Sequence, residues 1–365
     1  MAAPVAVTRA QVLARRVAAQ GLDRSSADPA VLDLGVQDTP PGSAVVALAA
    51  RGASARGLVT VWSVRGAPHL HRPGDLAALA GALWPADDAD ATARLASSAI
   101  REGARLGLAA FVTASRALRD AVDGTVSKGE ASRAVSDAVP SSLTFWCETC
   151  GARHVSGALF QQAGLFGSVQ VGREGRRTVL SPLAERHAVP EAAAGTGDVV
   201  RGYVRLLGPA GPAEVARFLG TRPAAVRKVW PDGLAEVSVD GVRAWLPESE
   251  LAALRSAVLP DPGRLVRLLP PGDPYLQARD RELLVPDPVR RKELWRAIGS
   301  PGAVLAGSEV VGTWRARAAG AAVDVEVALP ARPAAGMRRR LEEQAAVVAG
   351  ARGAAEARLR LVEPD

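Results

Sequence analysis

Two groups of side chains in this sequence have types and spacings that could carry out chemistry. The first is Gln37 and Asp38 in the stretch LDLGVQDTPPGSA, an amide beside a carboxylate between an apolar run and two prolines. A carboxylate can act as a general base, and an amide carbonyl can orient a water molecule. A polar side chain before Thr39 and Pro40 is also typical of a helix N-cap or a turn. Both interpretations remain open at this point.

The second group is Cys147, Cys150 and His154 in CETCGARH, which has the spacing of part of a zinc site. The two cysteines are too few for a disulfide framework in a chain of this length. A closed structural zinc site needs four ligands. The other soft donors are His69, His71 and His187. We therefore favour two small buried thiols and an exposed imidazole over a metal site, and we predict no cofactor.

The composition indicates a soluble protein of roughly two or three compact units, because the 365 residues are 48% hydrophobic. No window approaches the roughly 18 consecutive apolar residues of a membrane span, and the N-terminus lacks a signal-peptide core. We therefore expect a cytoplasmic protein. The net charge of +7 suggests a polyanionic partner, although only three of the 45 basic residues are lysines and the Ala, Gly and Pro bias is typical of a GC-rich coding sequence.

The clearest structural unit is residues 199 to 247. One helical run ends at Leu207, a second has Pro212 in its first turn, and a third follows Pro223. Two alternating segments then flank Asp240 and Gly241, which predict a two-residue hairpin turn. Three helices followed by a hairpin is the order of a winged helix.

The same order can be read less clearly at residues 8 to 72 and 113 to 181. From residue 264 the chain has short alternating segments that favour a small antiparallel sheet or barrel. A final helix and an alternating segment follow, which either complete that sheet or form a frayed tail. We predict an α+β fold of tandem winged-helix domains with a C-terminal antiparallel β-barrel-like domain. The predicted domains are 1–108, which includes a helical connection, 109–190, 196–257 and 262–365.

Basic residues lie on the elements that a winged helix presents to DNA, its third helix and its hairpin. The candidate DNA contacts are Arg65, His69, Arg173, Arg176, Arg177, Arg222, Arg227 and Lys228, with Arg51 and Arg56 as weaker ones. A solvated polar face explains each of them equally well. His69 and His71 would share one face of a strand and could line the cleft or touch DNA, but we favour a surface strand end for both.

A third stretch, GDPYLQARDRELL, mixes charges of both signs. Its arginines could contact DNA, but charges this close together more often pair locally, which we favour. The mixed residues are Asp273, Arg279, Asp280 and Arg281.

Several stretches together resemble bacterial winged-helix DNA-binding proteins of the AlkZ-like type, which include DNA glycosylases. They are TRAQVLARRV, LGVQDTP, WSVRGAPHL, the C-x-x-C-x-x-x-H segment, DPYLQARDRELL and GTWR. The resemblance implies three tandem winged helices and a β-barrel that grip duplex DNA. It also implies hydrolysis of the N-glycosidic bond of alkylated purines, in some members within interstrand crosslinks.

The catalytic motif of that family is glutamine, an apolar residue, then glutamine or aspartate. Laid on this sequence, it falls on Gly35, Val36 and Gln37, with Asp38 following. An alkylated purine is already a good leaving group, so the reaction needs mainly a positioned water and electrostatic support. Gln37 could orient that water, and Asp38 is the alternative catalytic residue, as a negative charge or a general base.

The sequence leaves two main functions open. One is a monofunctional DNA glycosylase for DNA repair or genotoxin resistance. The other is a non-catalytic winged-helix DNA-binding protein that regulates or shields lesions. Glycine at position 35, in place of the first motif glutamine, separates them. A scaffold for protein contacts is disfavoured by the arginines on hairpins and third helices. We expect a monomer, associated with the nucleoid, that binds double-stranded DNA with weak sequence preference.

Overall fold

The structure is a computed structural model that describes residues 4–24, 29–95 and 98–362. The chain divides into two compact units. Unit 1 contains the chain up to Arg56, Arg201–Glu214 and the chain from Asp232 onward. Unit 2 contains Gly57–Val200 and Val215–Pro231.

The bounds of the regular elements follow in chain order. The α-helices are α1 (Arg9–Ala19), α2 (Ser43–Ala50), α3 (Leu76–Leu83), α4 (Asp88–Leu95), α5 (Arg101–Ala104), α6 (Leu108–Ala121), α7 (Lys128–Ala138), α8 (Gly157–Phe166), α9 (Thr196–Leu207), α10 (Pro212–Leu219), α11 (Pro223–Lys228), α12 (Leu251–Arg255), α13 (Arg281–Leu284), α14 (Pro288–Leu294) and α15 (Ala335–Ala351). The strands are β1 (Val5–Val7), β2 (Val36–Gln37), β3 (Val59–Trp62), β4 (Pro68–His71), β5 (Val126–Ser127), β6 (Thr144–Cys147), β7 (Ala152–Val155), β8 (Val169–Glu174), β9 (Arg177–Pro182), β10 (Leu234–Val239), β11 (Val242–Pro247), β12 (Val266–Leu269), β13 (Gly302–Ala306), β14 (Glu309–Ala319), β15 (Ala322–Ala328) and β16 (Glu356–Val362).

The C-terminal part of unit 1 is a sheet with strand order β12-β13-β14-β15-β16. The first three pairings are antiparallel, but β16 lies parallel to β15 because the chain crosses over through α15. The final segment therefore joins the sheet, and the frayed-tail alternative is wrong. Within the described residues β12 and β16 remain as edges and the sheet is open, so the predicted barrel-like closure is also wrong. A covering helix explains the difference: Leu341, Ala345 and Val348 of α15 pack on one face, where a barrel would enclose side chains from its own strands.

A second, smaller sheet of unit 1 has the order β1-β10-β11. Its hairpin turns at Asp240 and Gly241, which both have positive φ, 47° and 90°. This is the two-residue turn that the sequence predicts, because both central positions must adopt the left-handed region. The helices α9, α10 and α11 that precede the hairpin begin and end within a few residues of the predicted bounds.

The larger sheet of unit 2 joins two hairpins, β3–β4 and β8–β9, in the order β4-β3-β8-β9-β5. Helix α6 packs against α7 and α8, and α8 packs on β3. The core of this unit contains three aromatic rings with centroids 4.8 to 6.1 Å apart, those of Trp84, Phe111 and Phe166. Helix α7 begins at a capping box between Ser127 and Glu130. A serine followed three residues later by a glutamate is a sequence pattern typical of a helix start.

The sequence interpretation missed one element of unit 2. Strands β6 and β7 form an antiparallel hairpin between α7 and α8, in the segment that carries the two cysteines. The helix and strand orders predicted for residues 8 to 72 and 113 to 181 otherwise appear in the structure. The fold is a mixed α+β fold, as predicted, and tandem winged helices remain a prediction. No helix in the described part of the chain is long and apolar enough to cross a membrane.

Candidate functional site

Gln37 follows a tight turn that only a few residue types can form. A 3₁₀ helix (Ala30–Asp33) ends in a backbone hydrogen bond from Gly35 N to Leu32 O of 3.1 Å. Gly35 has φ +77°, in the left-handed region where a residue with a Cβ is strained by about 1 kcal/mol. The backbone therefore accounts for glycine at this motif position. Val36 is buried and Gln37 is half-buried.

A chain of hydrogen bonds holds the Gln37 amide. Gln277 Nε2 donates to Gln37 Oε1 at 3.1 Å, and a guanidinium nitrogen of Arg279 donates to Gln277 Oε1 at 3.1 Å. The backbone N–H of Arg279 donates to the buried Tyr203 hydroxyl at 3.1 Å. Two stretches that carry the family resemblance, LGVQDTP and DPYLQARDRELL, therefore meet in unit 1. We call Gln37, Gln277 and Arg279 the amide relay.

The chemistry of these groups fixes the direction of the amide relay. A guanidinium has only donors, so the Gln277 carbonyl oxygen must face Arg279. The Gln277 NH₂ group must then face Gln37, which turns the Gln37 carbonyl oxygen toward Gln277. That oxygen has two lone pairs, and Gln277 uses one of them. The second lone pair can accept a hydrogen bond from water.

Gly272 packs closely on the backbone of Thr39, beside the Gln37 amide. It has φ +76°, and a Cβ built there would lie 3.2 Å from Thr39 O and 3.5 Å from Gln37 Nε2. Its carbonyl oxygen also accepts a long hydrogen bond of 3.4 Å from Gln277 Nε2. Glycine is needed here both for the backbone conformation and for close approach.

Asp38 is part of the framework of the site. Its Oδ1 accepts a hydrogen bond of 3.0 Å from the backbone N–H of Ala44, the second residue of α2. The first N–H groups of a helix have no partner within the helix, so this contact satisfies one of them. The capping interpretation therefore holds for Asp38, while the side chain of Gln37 turns to Gln277.

Two buried ion pairs anchor the segment that carries Gln277. Arg51 and Asp273 have completely buried side chains and form two hydrogen bonds of 2.9 Å each. Arg16, also buried, binds Asp280 through two guanidinium nitrogens. The prediction of local pairing was wrong about the partners, which come from 222 and 264 positions away. Arg51 is 1% exposed, so its prediction as a weak DNA contact is wrong.

The predicted basic residues of the β8–β9 hairpin lie on the surface. Arg173 is the penultimate residue of β8, Arg176 lies in the turn and Arg177 begins β9, and all three side chains are exposed. Their positions allow contact with phosphates, and their role in DNA binding remains a prediction.

The basic residues around α11 are exposed but share a carboxylate. Lys228 Nζ lies 3.0 Å from Asp87 Oδ2, and Arg222 lies 3.8 Å from Asp87 Oδ1. A hydrogen bond from the Asp90 backbone and these two cations lower the pKa of Asp87. Arg227 is exposed as well. This cluster therefore carries less net positive charge than its sequence indicates.

The two histidines of β4 are buried, and the half-buried Arg65 side chain packs on Phe218. Arg65 donates to the carbonyl oxygen of Phe218, and its guanidinium carbon lies 5.5 Å from the centroid of that ring. His69 and His71 are 2% and 1% exposed, so the predicted surface strand end is wrong. Burial lowers the pKa of His69 to about 4 and of His71 to about 3. Both imidazoles are therefore neutral near pH 7. Because His69 is buried and Arg65 is half-buried against Phe218, these two residues do not form an exposed group that could face DNA.

Cys147, Cys150 and His154 come together on the β6–β7 hairpin. Their ligand atoms all lie within 4.8 Å of one another. The expectation of two buried thiols and an exposed imidazole is wrong, because Cys150 is exposed and both Cys147 and His154 are half-buried.

The sequence interpretation missed Gln277 and Gly272 as site residues. Gln277 lies in a stretch whose charged residues were considered as DNA contacts or local ion pairs. Nothing in the sequence spacing connects it to Gln37. Gln37 and Gln277 lie in two stretches that carry the family resemblance, LGVQDTP and DPYLQARDRELL, and only the fold brings these stretches into contact.

The chain matches a known protein family over most of its length. The model of the family described as DNA glycosylase AlkZ-like matches residues 31–351. The chain belongs to the AlkZ-like DNA glycosylase family. Among solved structures, it is similar to Streptomyces sahachiroi DNA glycosylase AlkZ, with a TM-score of 0.73 and 21% sequence identity over 98% of this chain and 100% of that chain. No functionally curated protein matches the chain significantly.

Family membership supports the predicted function of a DNA glycosylase, and with it DNA as the substrate and DNA repair as the process. The structural similarity independently supports the overall fold. The matched residues 31–351 include both Gln37 and the segment that holds it.

Proposed function

We propose that this chain is a monofunctional DNA glycosylase that hydrolyses the N-glycosidic bond of alkylated purines in double-stranded DNA. The observation that carries the proposal is the directed amide relay, which holds the Gln37 carbonyl oxygen in a fixed orientation. The proposal assigns the second lone pair of that oxygen to the attacking water. Family membership supports the reaction class.

The leaving group makes a weak catalytic group sufficient. A purine alkylated at N7 or N3 carries a positive charge, and it leaves as a neutral base when the C1′–N bond breaks and its electron pair moves to nitrogen. Water then adds to the sugar at C1′ and releases a proton to solvent. Because an amide does not take that proton, Gln37 contributes by positioning the water and by placing its carbonyl dipole near the developing positive charge.

Asp38 has a supporting role in this proposal. Its carboxylate caps α2 and so fixes the chain just after Gln37. Its negative charge next to the site also stabilises the developing sugar cation. No general acid is required because the base departs neutral, and in this proposal the proton of the attacking water is released to solvent rather than to Asp38.

Binding to duplex DNA is assigned to the exposed basic residues of unit 2. Arg173, Arg176 and Arg177 project from the hairpin that a winged helix would place against phosphates, and we retain the tandem winged-helix arrangement as part of the proposal. Phosphate contacts carry little sequence information, which suits an enzyme that recognises damage in any sequence.

Single-turnover base release from a duplex with one N7-alkylguanine tests the proposal. We expect release above the spontaneous rate, and we expect Gln37→Ala to lower that rate by about 10²-fold or more. The matched control is Gln161→Ala, which removes a half-buried glutamine of unit 2 that is not in the amide relay. Tight DNA binding by the wild-type chain without base release would instead support a non-catalytic DNA-binding protein, the function that Gly35 alone would suggest.

A further inference from the structure

The β6–β7 hairpin reverses in a tight turn that carries both cysteines. The chain reverses through Cys147, Glu148, Thr149, Cys150 and Gly151, and Gly151 has φ +59°. The N–H groups of Cys150 and Gly151 donate to Cys147 O at 3.2 and 2.9 Å. This tight turn brings both cysteine side chains to the same end of the hairpin.

The strand register brings the third donor to the two thiols. His154 pairs with Phe145 across the hairpin, two positions before Cys147. An imidazole nitrogen of His154 and the two sulfur atoms all lie within 4.8 Å of one another. Ligand atoms around tetrahedral zinc lie about 3.5 to 3.8 Å apart, given Zn–S and Zn–N bonds of about 2.3 and 2.0 Å. Shifts of about 1 Å in side-chain position are enough to close the site.

Both thiols are available as ligands. The two cysteines are free rather than joined in a disulfide, so each sulfur atom can bind a cation.

We propose that Cys147, Cys150 and His154 bind one zinc ion, with solvent as its fourth ligand. Two thiolates and an imidazole are the donors that zinc prefers. Within the described residues, this group of histidine, cysteine and acidic side chains has three members, so the protein leaves one coordination position to solvent. Cys150 is exposed, which gives solvent access to that position.

A bound ion would explain how so small an element holds its form. A two-stranded hairpin is only marginally stable by itself. Each strand here has four residues, and Trp146 on β6 is 52% exposed. Zinc would join the turn between β6 and β7 to the second strand. It would therefore stabilise the turn end of the hairpin.

Metal analysis of the full chain tests the proposal. The protein is purified without metal-affinity resin and dialysed, and zinc is measured by mass spectrometry. We expect one zinc ion per chain. After removal by a chelator under reducing conditions, Co²⁺ alone should bind in the same ratio and give sulfur-to-cobalt charge-transfer absorption. Added imidazole should change the cobalt spectrum, because solvent in the fourth position exchanges.

Variants identify the ligands. Cys150→Ser and His154→Ala should each lower metal retention at least tenfold, whereas His187→Ala, which removes an imidazole outside the group, should retain one ion. Zinc should also protect both thiols of the wild-type chain from a thiol reagent, a measurement that does not depend on a variant that folds. Thiols that react equally fast with and without zinc would overturn the proposal. A disulfide between the two cysteines, with no metal bound after reduction, would overturn it as well.

Discussion

The arginines around Gln277 and those of the β8–β9 hairpin are the same residue type put to opposite uses. In unit 1, Arg16 and Arg51 are buried and each binds a carboxylate from a distant part of the chain. In unit 2, Arg173 and Arg177 are exposed on a hairpin. The difference shows that an arginine's role depends on its partner. A buried carboxylate makes it part of the framework of the site, whereas an exposed arginine remains available to bind DNA. A basic sequence with a pI near 10.3 therefore overstates the charge that is available for DNA.

Removal of a buried partner should give the largest effect. Arg51→Met leaves the Asp273 carboxylate buried without its cation, and we expect a loss of about 3 to 5 kcal/mol in the free energy of unfolding. Chemical denaturation measures this loss. Arg173→Met is the control and should change stability by less than about 0.5 kcal/mol, because the side chain is exposed. Equal losses in the two variants would contradict the distinction between the two regions.

A pH titration of stability should show that unit 2 also has buried polar groups. The pKa values of His69 and His71 are lowered from 6.5 to about 4 and about 3 by burial. Between those values and 6.5 the unfolded chain binds more protons, so stability is full above pH 6.5 and falls as the pH decreases. At pH 5 each imidazole should cost about 2 kcal/mol.

Thermal unfolding between pH 7.5 and pH 5 checks this expectation. His69→Gln and His71→Gln combined should flatten the pH dependence in this range. An unchanged slope in the double variant would show that other groups are responsible.

Loss of the hairpin charges should weaken DNA binding without loss of stability. With Arg173, Arg176 and Arg177 replaced by alanine, we expect a roughly uniform decrease in affinity across sequences. The slope of log K against log salt should fall by about 3 if each arginine neutralises one phosphate. Titration of a labelled duplex at several salt concentrations measures both.

A second run of three arginines provides the matched control. Arg338, Arg339 and Arg340 of α15 form ion pairs with Glu342 and Glu343. Their replacement removes the same formal charge from the chain, and we expect a smaller change in the salt slope. The same decrease in both variants would mean that only net charge matters.

The smallest effect is expected at Asp38. Asp38→Ala removes the acceptor for Ala44 N and should cost about 1 kcal/mol of stability, the usual value of a helix cap. Asp38→Asn keeps an acceptor and should recover most of that stability, but its base-release rate should lie between those of the wild type and Gln37→Ala because the negative charge is lost. A rate in Asp38→Asn as low as in Gln37→Ala would show that the carboxylate itself takes part in the chemistry.

Much of the local structure could be predicted from the sequence. Prolines in first helical turns and the Asp240–Gly241 turn are short-range signals, and the structure has helices and a hairpin at those positions. The parallel pairing of β16 with β15 and the open edges of the C-terminal sheet were not predicted, because alternation does not reveal which strands pair or in which direction.

The site was predictable only in part. Gln37 stands out because it is polar beside an apolar run, but its partner Gln277 lies 240 positions away. His69 and Arg51 were misjudged because burial depends on packing between distant segments. In both cases the missing information was which residues meet, not which residues are present.

The central claim is that an oriented Gln37 amide positions the attacking water. Its most direct test compares single-turnover base release at saturating protein for the wild-type chain, Gln277→Glu and Gln37→Ala. Gln277→Glu keeps an acceptor for Arg279 but has no donor for Gln37. We predict that it releases base about tenfold more slowly than wild type, and that Gln37→Ala falls to near the spontaneous rate. Wild-type release by Gln37→Ala would contradict the account.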